Sequence, residues 1–175
     1  MKIGVVSDTH RNKEYLRKVA DWLQQKQHIS TLYHLGDDYE DVIELGDEYF
    51  DVVQVPGIYN PKYRDGTLEP KKIETVQGLS IMLVHSFEKD VTENDKIRCD
   101  IILHGHTHRA EITVNDGLLT MNPGHLKGPL DKKTPPSFGL LEIADKNVNV
   151  SIYNLDFDCI DSMELIRSEN RLYKA

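Results

Sequence analysis

The chain alternates short apolar runs with polar segments, and the spacing of the apolar positions predicts its elements. Apolar runs at residues 2–7, 31–35 and 51–55 predict buried strands. Between the first two runs, apolar residues recur at helical spacing through 12–26, and a helix rich in Asp and Glu is predicted at 38–48. This β-α-β-α-β order is typical of a parallel sheet with crossover helices.

The second half of the chain is richer in predicted strands. Turn-forming dipeptides, Gln77-Gly78, Asp116-Gly117 and Asp145-Lys146, separate pairs of them and predict antiparallel hairpins. The strands are predicted at 71–76, 79–84, 100–104, 110–114, 118–121, 137–144 and 147–153. Exposed loops are predicted at 57–70, 86–97 and 125–136. The predicted fold class is therefore α/β (α+β), with two mixed sheets face to face and helices outside.

The length of 175 residues predicts a single domain over 1–175. Hydrophobic residues make up 39% and charged residues 29% of the chain, and no apolar run approaches the ~20 residues of a membrane helix. Because the sequence starts with a strand rather than a signal sequence, we expect a cytoplasmic protein. The C-terminal extension at 155–175 has an amphipathic pattern, which leaves packing on the domain or a dimer contact open. Its apolar residues are Ile160, Met163, Ile166 and Leu172.

Charge and cysteine content narrow the range of functions. The net charge of −8, without a stripe of basic residues, disfavours long nucleic acids, whose backbone needs clustered Lys and Arg. Small phosphate substrates stay compatible, because bound metal ions reverse the local field. The cysteines, Cys99 and Cys159, are far apart and form no CxxC pair, so neither a disulfide framework nor a structural zinc site is predicted.

Metal-type ligands follow four of the predicted strands. They are Asp8, His10, Asp37, His85, His106 and His108. The carboxyl ends of strands form the edge where open α/β sheets bind ligands, so we expect these side chains to meet there. Ionisable groups are costly to bury unless they bind a metal or each other. Mixed carboxylate and imidazole ligands suit Mn, Fe, Zn, Co or Ni.

Six ligands exceed one tetrahedral site and suffice for two ions that share a bridging carboxylate. Ions paired ~3.5–4 Å apart polarise phosphoryl oxygens and convert water to hydroxide near neutral pH. Taken alone, Asp8 and Asp37 are equally compatible with helix N-capping. The segment Gly105-His106-Thr107-His108, taken alone, is compatible with a surface turn. All four segments in this order favour the metal site. For His34 and His104, we favour roles in the core or behind the ligands.

These segments together resemble the calcineurin-like metallophosphoesterases, in particular the small single-domain phosphodiesterases of bacteria and archaea. The resemblance covers roughly residues 1–154. Its markers are Asp8-x-His10, Gly36-Asp37, Leu83-Val84-His85, Gly105-His106-x-His108 and Asn122-Pro123-Gly124. The resemblance implies a four-layer αββα sandwich and two divalent ions, Mn first, with Ni, Fe, Co or Zn as alternatives. By position, the first ion takes Asp8, His10 and His108, the second takes His85 and His106, and Asp37 bridges them.

The sequence departs from the family pattern after the third strand. The family has an Asn ligand directly after a glycine, but here Ile58 follows the glycine in Pro56-Gly57-Ile58-Tyr59-Asn60. Asn60 either reaches the second ion if the loop bends or is an ordinary turn residue before Pro61. Tyr59 stands where the family places its catalytic His. We therefore expect a weaker second metal site and no histidine acid at this position.

The predicted function is that of a metal-dependent phosphodiesterase, which hydrolyses a small phosphate ester, including nucleotide-derived ones, by attack of metal-bound hydroxide. Asp37 and His85 are the predicted catalytic residues. Lys62, Arg64 and His125 are candidate substrate contacts, and an exposed loop position is the alternative for each. The competing hypothesis is a catalytically weak interaction scaffold, like the retromer subunit that resembles these enzymes. The oligomeric state stays open, including a homo-oligomer.

Overall fold

The computed structural model describes residues 1–168 and 171–175, and its strands form two mixed sheets. The strands are β1 (Lys2–Val6), β2 (Thr31–His34), β3 (Asp51–Gln54), β4 (Lys71–Val76), β5 (Leu79–Val84), β6 (Ile101–Leu103), β7 (Glu111–Asn115), β8 (Leu118–Asn122), β9 (Ser137–Ile143), β10 (Asn147–Asn154), β11 (Cys159–Ser168) and β12 (Arg171–Lys174). The helices are α1 (Lys13–Gln25), α2 (Ile43–Glu48), α3 (Pro61–Arg64), α4 (Phe87–Asp90) and α5 (Glu93–Arg98), and a short 3-10 helix covers Tyr39–Val42.

Parallel pairing places the ends of the central strands at the same edge of each sheet. Within the described residues, the first sheet has the order β12-β11-β10-β9-β1-β2-β3, and the second has the order β4-β5-β6-β8-β7. β1, β2 and β3 pair in parallel, as do β5, β6 and β8. The predicted hairpins β4–β5, β7–β8 and β9–β10 are all antiparallel. The α/β class with mixed sheets is therefore confirmed.

Three apolar clusters hold four layers together. Alternate residues of β1 face opposite sides, so that Val5 packs between the sheets and Val6 packs with the helix α1. A Cβ on Gly4 would lie 2.6 Å from Leu23 Cδ1, so glycine lets the helix pack closely on this strand. On the outer face of the second sheet, Met82 and Ile102 pack with residues of the α4 region. This order of layers confirms the predicted αββα sandwich.

The structure differs from the sequence prediction in the segments expected to be loops. The loop at 57–70 contains α3, and the loop at 86–97 contains α4 and most of α5. Capping rather than apolar periodicity stabilises α5, because the side chains of Thr92 and Asp95 each accept a hydrogen bond from the other's backbone N–H. The predicted helix at 38–48 is divided into the 3-10 helix and α2. Short helices of this kind carry no periodic signal that a sequence pattern could reveal.

The C-terminal extension continues the first sheet as the hairpin β11–β12. Leu165 and Leu172 are fully buried in the cluster between the sheets, whereas Ile160 and Ile166 are about half exposed. Its strands therefore pack against the sandwich, with only some of the apolar residues inward. No helix in the described part of the chain combines the length and apolarity needed to cross a membrane.

Replacement of Leu165 should show that this hairpin belongs to the core. Leu165→Ala removes a buried side chain, so we expect the free energy of unfolding in urea to fall by about 2–5 kcal/mol. The neighbouring Ile166→Ala is the matched control, because its half-exposed side chain predicts a change within about 0.5 kcal/mol. Equal effects of the two substitutions would contradict the observed register.

Candidate metal centre

The candidate ligands lie in turns with an unusual backbone. Asp8, His10, His106 and His108 have positive φ angles of 51°, 47°, 68° and 64°. The left-handed region costs a non-glycine residue on the order of 1–3 kcal/mol and is concentrated at functional sites. These turns follow β1 and β6 directly, so the strand ends deliver the side chains to one place.

The carboxylate of Asp37 lies between two histidines. Its Oδ2 is 3.4 Å from His10 Nε2, and its Oδ1 is 3.4 Å from His85 Nε2. The ring of His85 is oriented from behind, because its Nδ1–H donates to the Leu35 carbonyl at 2.8 Å and leaves Nε2 facing the carboxylate. Each oxygen of Asp37 therefore faces a different imidazole.

A compact group of ligand atoms forms on the His10 side of Asp37. The group consists of Asp8, His10, Asp37 and His108, whose ligand atoms all lie within 4.8 Å of one another. His108 Nε2 is 3.1 Å from Asp8 Oδ1 and 3.3 Å from His10 Nε2. Two imidazole nitrogens and two carboxylates converge here, which is a donor set that suits a divalent transition metal.

Two buried ligand atoms lack partners. Asp8 Oδ2 accepts hydrogen bonds from Ser7 Oγ at 2.6 Å and from the His106 backbone N–H at 3.0 Å. In contrast, Asp8 Oδ1 and His85 Nε2 have no hydrogen-bond partner among the described residues. Buried polar atoms are rarely left unpaired, because each costs about 1–3 kcal/mol. The residues present therefore fit divalent ions at both atoms.

His106 lies beside His85 rather than in the compact group. The two rings are 5.1 Å apart between centroids, in an edge-to-face arrangement. Burial lowers the pKa of the His106 imidazole, which favours the neutral form that can bind a metal. The structure thus places His85 at Oδ1 of Asp37 and His106 beside His85, next to the compact group of the other four predicted ligands.

Asp131, in a segment that the sequence predicts as an exposed loop, contacts the site. Its Oδ2 accepts a hydrogen bond from His108 Nδ1–H at 2.5 Å, and its Oδ1 pairs with Lys127 Nζ at 2.9 Å. The Lys127 ammonium and the His108 ring lower the pKa of Asp131 to about 2. Burial lowers the pKa of His108, but the nearby carboxylates of Asp8 and Asp131 outweigh this effect and raise the pKa. An outer carboxylate of this kind orients a metal-binding imidazole.

Asp41 stabilises the turn after β1, which carries Asp8 and His10. Its Oδ2 accepts hydrogen bonds from Thr9 Oγ1 at 2.6 Å and from the Arg11 backbone N–H at 2.9 Å. The sequence pattern predicts Asp41 only as part of a polar helix. Neither Asp41 nor Asp131 has a local sequence signal, since each contacts residues more than 20 positions away.

Two further histidines lie behind the ligands. His34 is fully buried, and burial lowers its pKa to about 4. Burial also lowers the pKa of His104 to about 4, and its ring lies 5.2 Å from that of Phe87. Both rings are therefore neutral near pH 7, which agrees with the predicted roles in the core or behind the ligands.

Asn60 has the geometry of a helix cap. Its Oδ1 accepts a hydrogen bond from the Lys62 backbone N–H at 2.9 Å, and Pro61 occupies the first turn of α3. This is the turn role that the sequence left open. A metal-ligand role for Asn60 stays a prediction and requires its side chain to leave the cap.

The candidate substrate contacts lie in two different environments. Lys62 lines a cavity of about 460 Å³ that also includes His10 and Asp37. Arg64 lies 5.5 Å from the centre of the Tyr59 ring, which lines the same cavity. His125 is fully buried near His108, and its ring nitrogens contact the backbone of Thr134 and Lys127. A substrate contact by His125 stays a prediction. Both nitrogens of its buried ring already have backbone partners.

The chain is similar in sequence to known phosphoesterases. A family described as the calcineurin-like phosphoesterase superfamily domain matches residues 1–146. A phosphodiesterase of Methanocaldococcus jannaschii is 24% identical over 162 residues, which cover 83% of this chain and 95% of the relative.

Solved structures show the same fold at low identity. A conserved protein of Streptococcus pneumoniae, described as a predicted phosphoesterase, is 20% identical with a TM-score of 0.73 and covers 95% of this chain and 97% of its own. Wild-type Vps29 of Entamoeba histolytica in complex with Zn²⁺ is 20% identical with a TM-score of 0.66 and covers 95% of this chain and 99% of its own.

Gly57 should be required beside Asp37. A Cβ at this position would overlap Asp37 Oδ1 and lie 2.9 Å from Asp37 Cα. We therefore expect Gly57→Ala to lower the free energy of unfolding by about 1–3 kcal/mol. Gly128→Ala is the control, since no atom lies within 4 Å of its added Cβ. If both variants unfold at the same urea concentration as the wild type, the close approach of the Gly57 backbone to Asp37 is wrong.

Proposed function

The chain belongs to the calcineurin-like phosphoesterase superfamily, and from this membership we propose that it is a metal-dependent phosphodiesterase acting on a small phosphate ester. The observation that carries the proposal is the carboxylate of Asp37 between His10 and His85, with one oxygen toward each. The partnerless buried atoms Asp8 Oδ1 and His85 Nε2 support it, because an ion would satisfy both. The similarity to an archaeal phosphodiesterase supports the reaction class.

Two divalent ions would be held on the two sides of Asp37. The first would take Asp8, His10, Asp37 and His108, and the second would take Asp37, His85 and His106. When bound, such ions supply Lewis acidity at phosphoryl oxygens and a water of lowered pKa as the nucleophile. Manganese is the first choice, and mixed carboxylate and imidazole ligands also suit nickel, iron, cobalt and zinc.

The chain's own residues fix the ligands in place. Leu35 holds the His85 tautomer through its carbonyl, and Asp131 does the same for His108. Tyr59, at the place of the family's histidine acid, is an exposed side chain. Because no histidine stands there to donate a proton, we expect the best substrates to be diesters whose leaving group needs no proton.

The two sites should differ in affinity. The first has four protein ligands, whereas the second has three, since Ile58 offers no ligand atom and Asn60 caps α3. Weak second-site binding would also suit the competing function, an interaction scaffold on the same fold. The absence of a ligand atom at Ile58 favours the scaffold, whereas the presence of the six other family ligands favours the enzyme.

Hydrolysis of bis-p-nitrophenyl phosphate tests the proposed function. We expect turnover with Mn²⁺ that chelator abolishes, and a loss of at least roughly 100-fold in Asp37→Asn, since this ligand serves both ions. Asp145→Asn, in an exposed turn, is the matched control. Absence of turnover with Mn²⁺, Ni²⁺, Co²⁺ and Zn²⁺ alike would refute the enzyme. In that case, a titration that finds close to zero metal ions bound per protein molecule would favour the scaffold.

Asp131 should strengthen metal binding without touching the ion. We expect Asp131→Ala to weaken Mn²⁺ binding at the tighter site about 10–100-fold, because His108 loses its orienting carboxylate. Isothermal titration measures the affinity, and Asp145→Ala is the control in an exposed turn. The unfolding curve of the metal-free variant shows whether the fold persists. An unchanged Mn²⁺ affinity would show that Asp131 does not position His108.

A further inference from the structure

The cavity beside the candidate metal centre has room for a substrate group that does not react. Its volume of about 460 Å³ lies within the range of small-molecule sites. His10 and Asp37 line it at the metal centre, and Tyr59, Lys62 and Glu40 supply the other side chains that matter here. A phosphodiester carries two ester arms, so the arm that stays on phosphorus needs a place of this kind.

Tyr59 presents an aromatic surface in the wall of this cavity. Its side chain is 66% exposed, so it does not contribute to the core. Arg64 lies 5.5 Å from the ring centre, and its Nε–H donates to the Ile58 carbonyl at 3.4 Å. A cation held in this way over a tyrosine restrains the ring. A restrained aromatic ring in a binding cavity is suited to stacking against a planar group.

The charged side chains in the cavity indicate which polar groups the bound arm carries. The Arg11 guanidinium is neutralised by Asp38 at 3.1 Å. The Lys62 ammonium and the Glu40 carboxylate have no ion-pair partner among the residues that the structure describes. Lys62 can donate to ester or sugar oxygens, and Glu40 can accept from hydroxyl groups.

We propose that this cavity binds a nucleoside as the non-reacting arm of the phosphodiester, with the base stacked on Tyr59 and sugar oxygens near Lys62 and Glu40. The inference rests on the proposed phosphodiesterase function and assigns the retained arm of the substrate to this cavity. A planar base matches the exposed ring of Tyr59, and a hydroxyl-bearing sugar matches the polar side chains of Lys62 and Glu40. Tyr59 acts on the arm and not on the reacting phosphorus.

Two substrates with the same leaving group test the proposal. Thymidine p-nitrophenyl phosphate and methyl p-nitrophenyl phosphate both release p-nitrophenol, so only the retained arm differs. In the Mn²⁺-loaded protein, we expect a KM about tenfold lower for the thymidine ester, a factor typical of one stacked base. Tyr59→Ala should remove this difference, and Tyr59→Phe, which keeps the ring, should preserve it.

Tyr49→Ala is the matched control. Tyr49 is also exposed, and Arg17 lies 5.5 Å from its ring centre, but Tyr49 does not line the cavity. This variant should keep the wild-type difference between the two esters. Equal KM values for both esters in the wild type would overturn the proposal. An equal rise for both esters in Tyr59→Ala would overturn it as well, because that indicates a structural role.

Calorimetric binding of thymidine monophosphate and methyl phosphate separates this proposal from the proposed function. We expect about tenfold tighter binding of thymidine monophosphate by the wild type and no difference in Tyr59→Ala. If neither ester is hydrolysed but the binding difference depends on Tyr59, the nucleoside site stands and the enzyme is refuted. If both esters are hydrolysed and binding shows no difference, the enzyme stands and the nucleoside site is refuted.

Discussion

A carboxylate at Asp37 can face two histidines only because the backbone around it carries no side chains. A Cβ on Gly57 would overlap Asp37 Oδ1, and one on Gly36 would lie 2.7 Å from His85 Nδ1. The end of β2, the end of β5 and the turn after β3 therefore approach one another at glycines. The two apolar layers behind them hold the strands at this distance, so the packing of the sandwich sets the spacing of the ligands.

The sequence predicted the central fold and the ligand set for a physical reason. Buried strands must be apolar, so Asp8, Asp37 and His85 stand out as polar residues at strand ends, and the topology brings these ends together. Residues that act from a distance could not be found in this way. Asp131 and Asp41 lie in polar segments, where one more carboxylate is unremarkable, and only the folded chain shows what each one contacts.

The C-terminal extension shows a second limit of the sequence pattern. Its apolar residues fit several spacings, and a strand exposes every other side chain, so one residue of register decides which are buried. Leu165 is buried and its neighbour Ile166 is half exposed. Similarly, the helices α4 and α5 depend on local capping and on tertiary contacts. Lys71 bonds to Asp95 at 2.6 Å and so ties α5 to β4.

The left-handed turns that carry Asp8, His10, His106 and His108 have a consequence for metal exchange. Protein contacts alone hold these turns, through Asp41 behind the first and through Asp131 and Thr134 beside the second. These contacts involve no ion, so the fold itself shapes the turns into a cage of ligands. Such a cage selects weakly among ions of similar size and ligand preference. Under the proposed function, the metal that occupies such a cage would follow the metal supply of the cell.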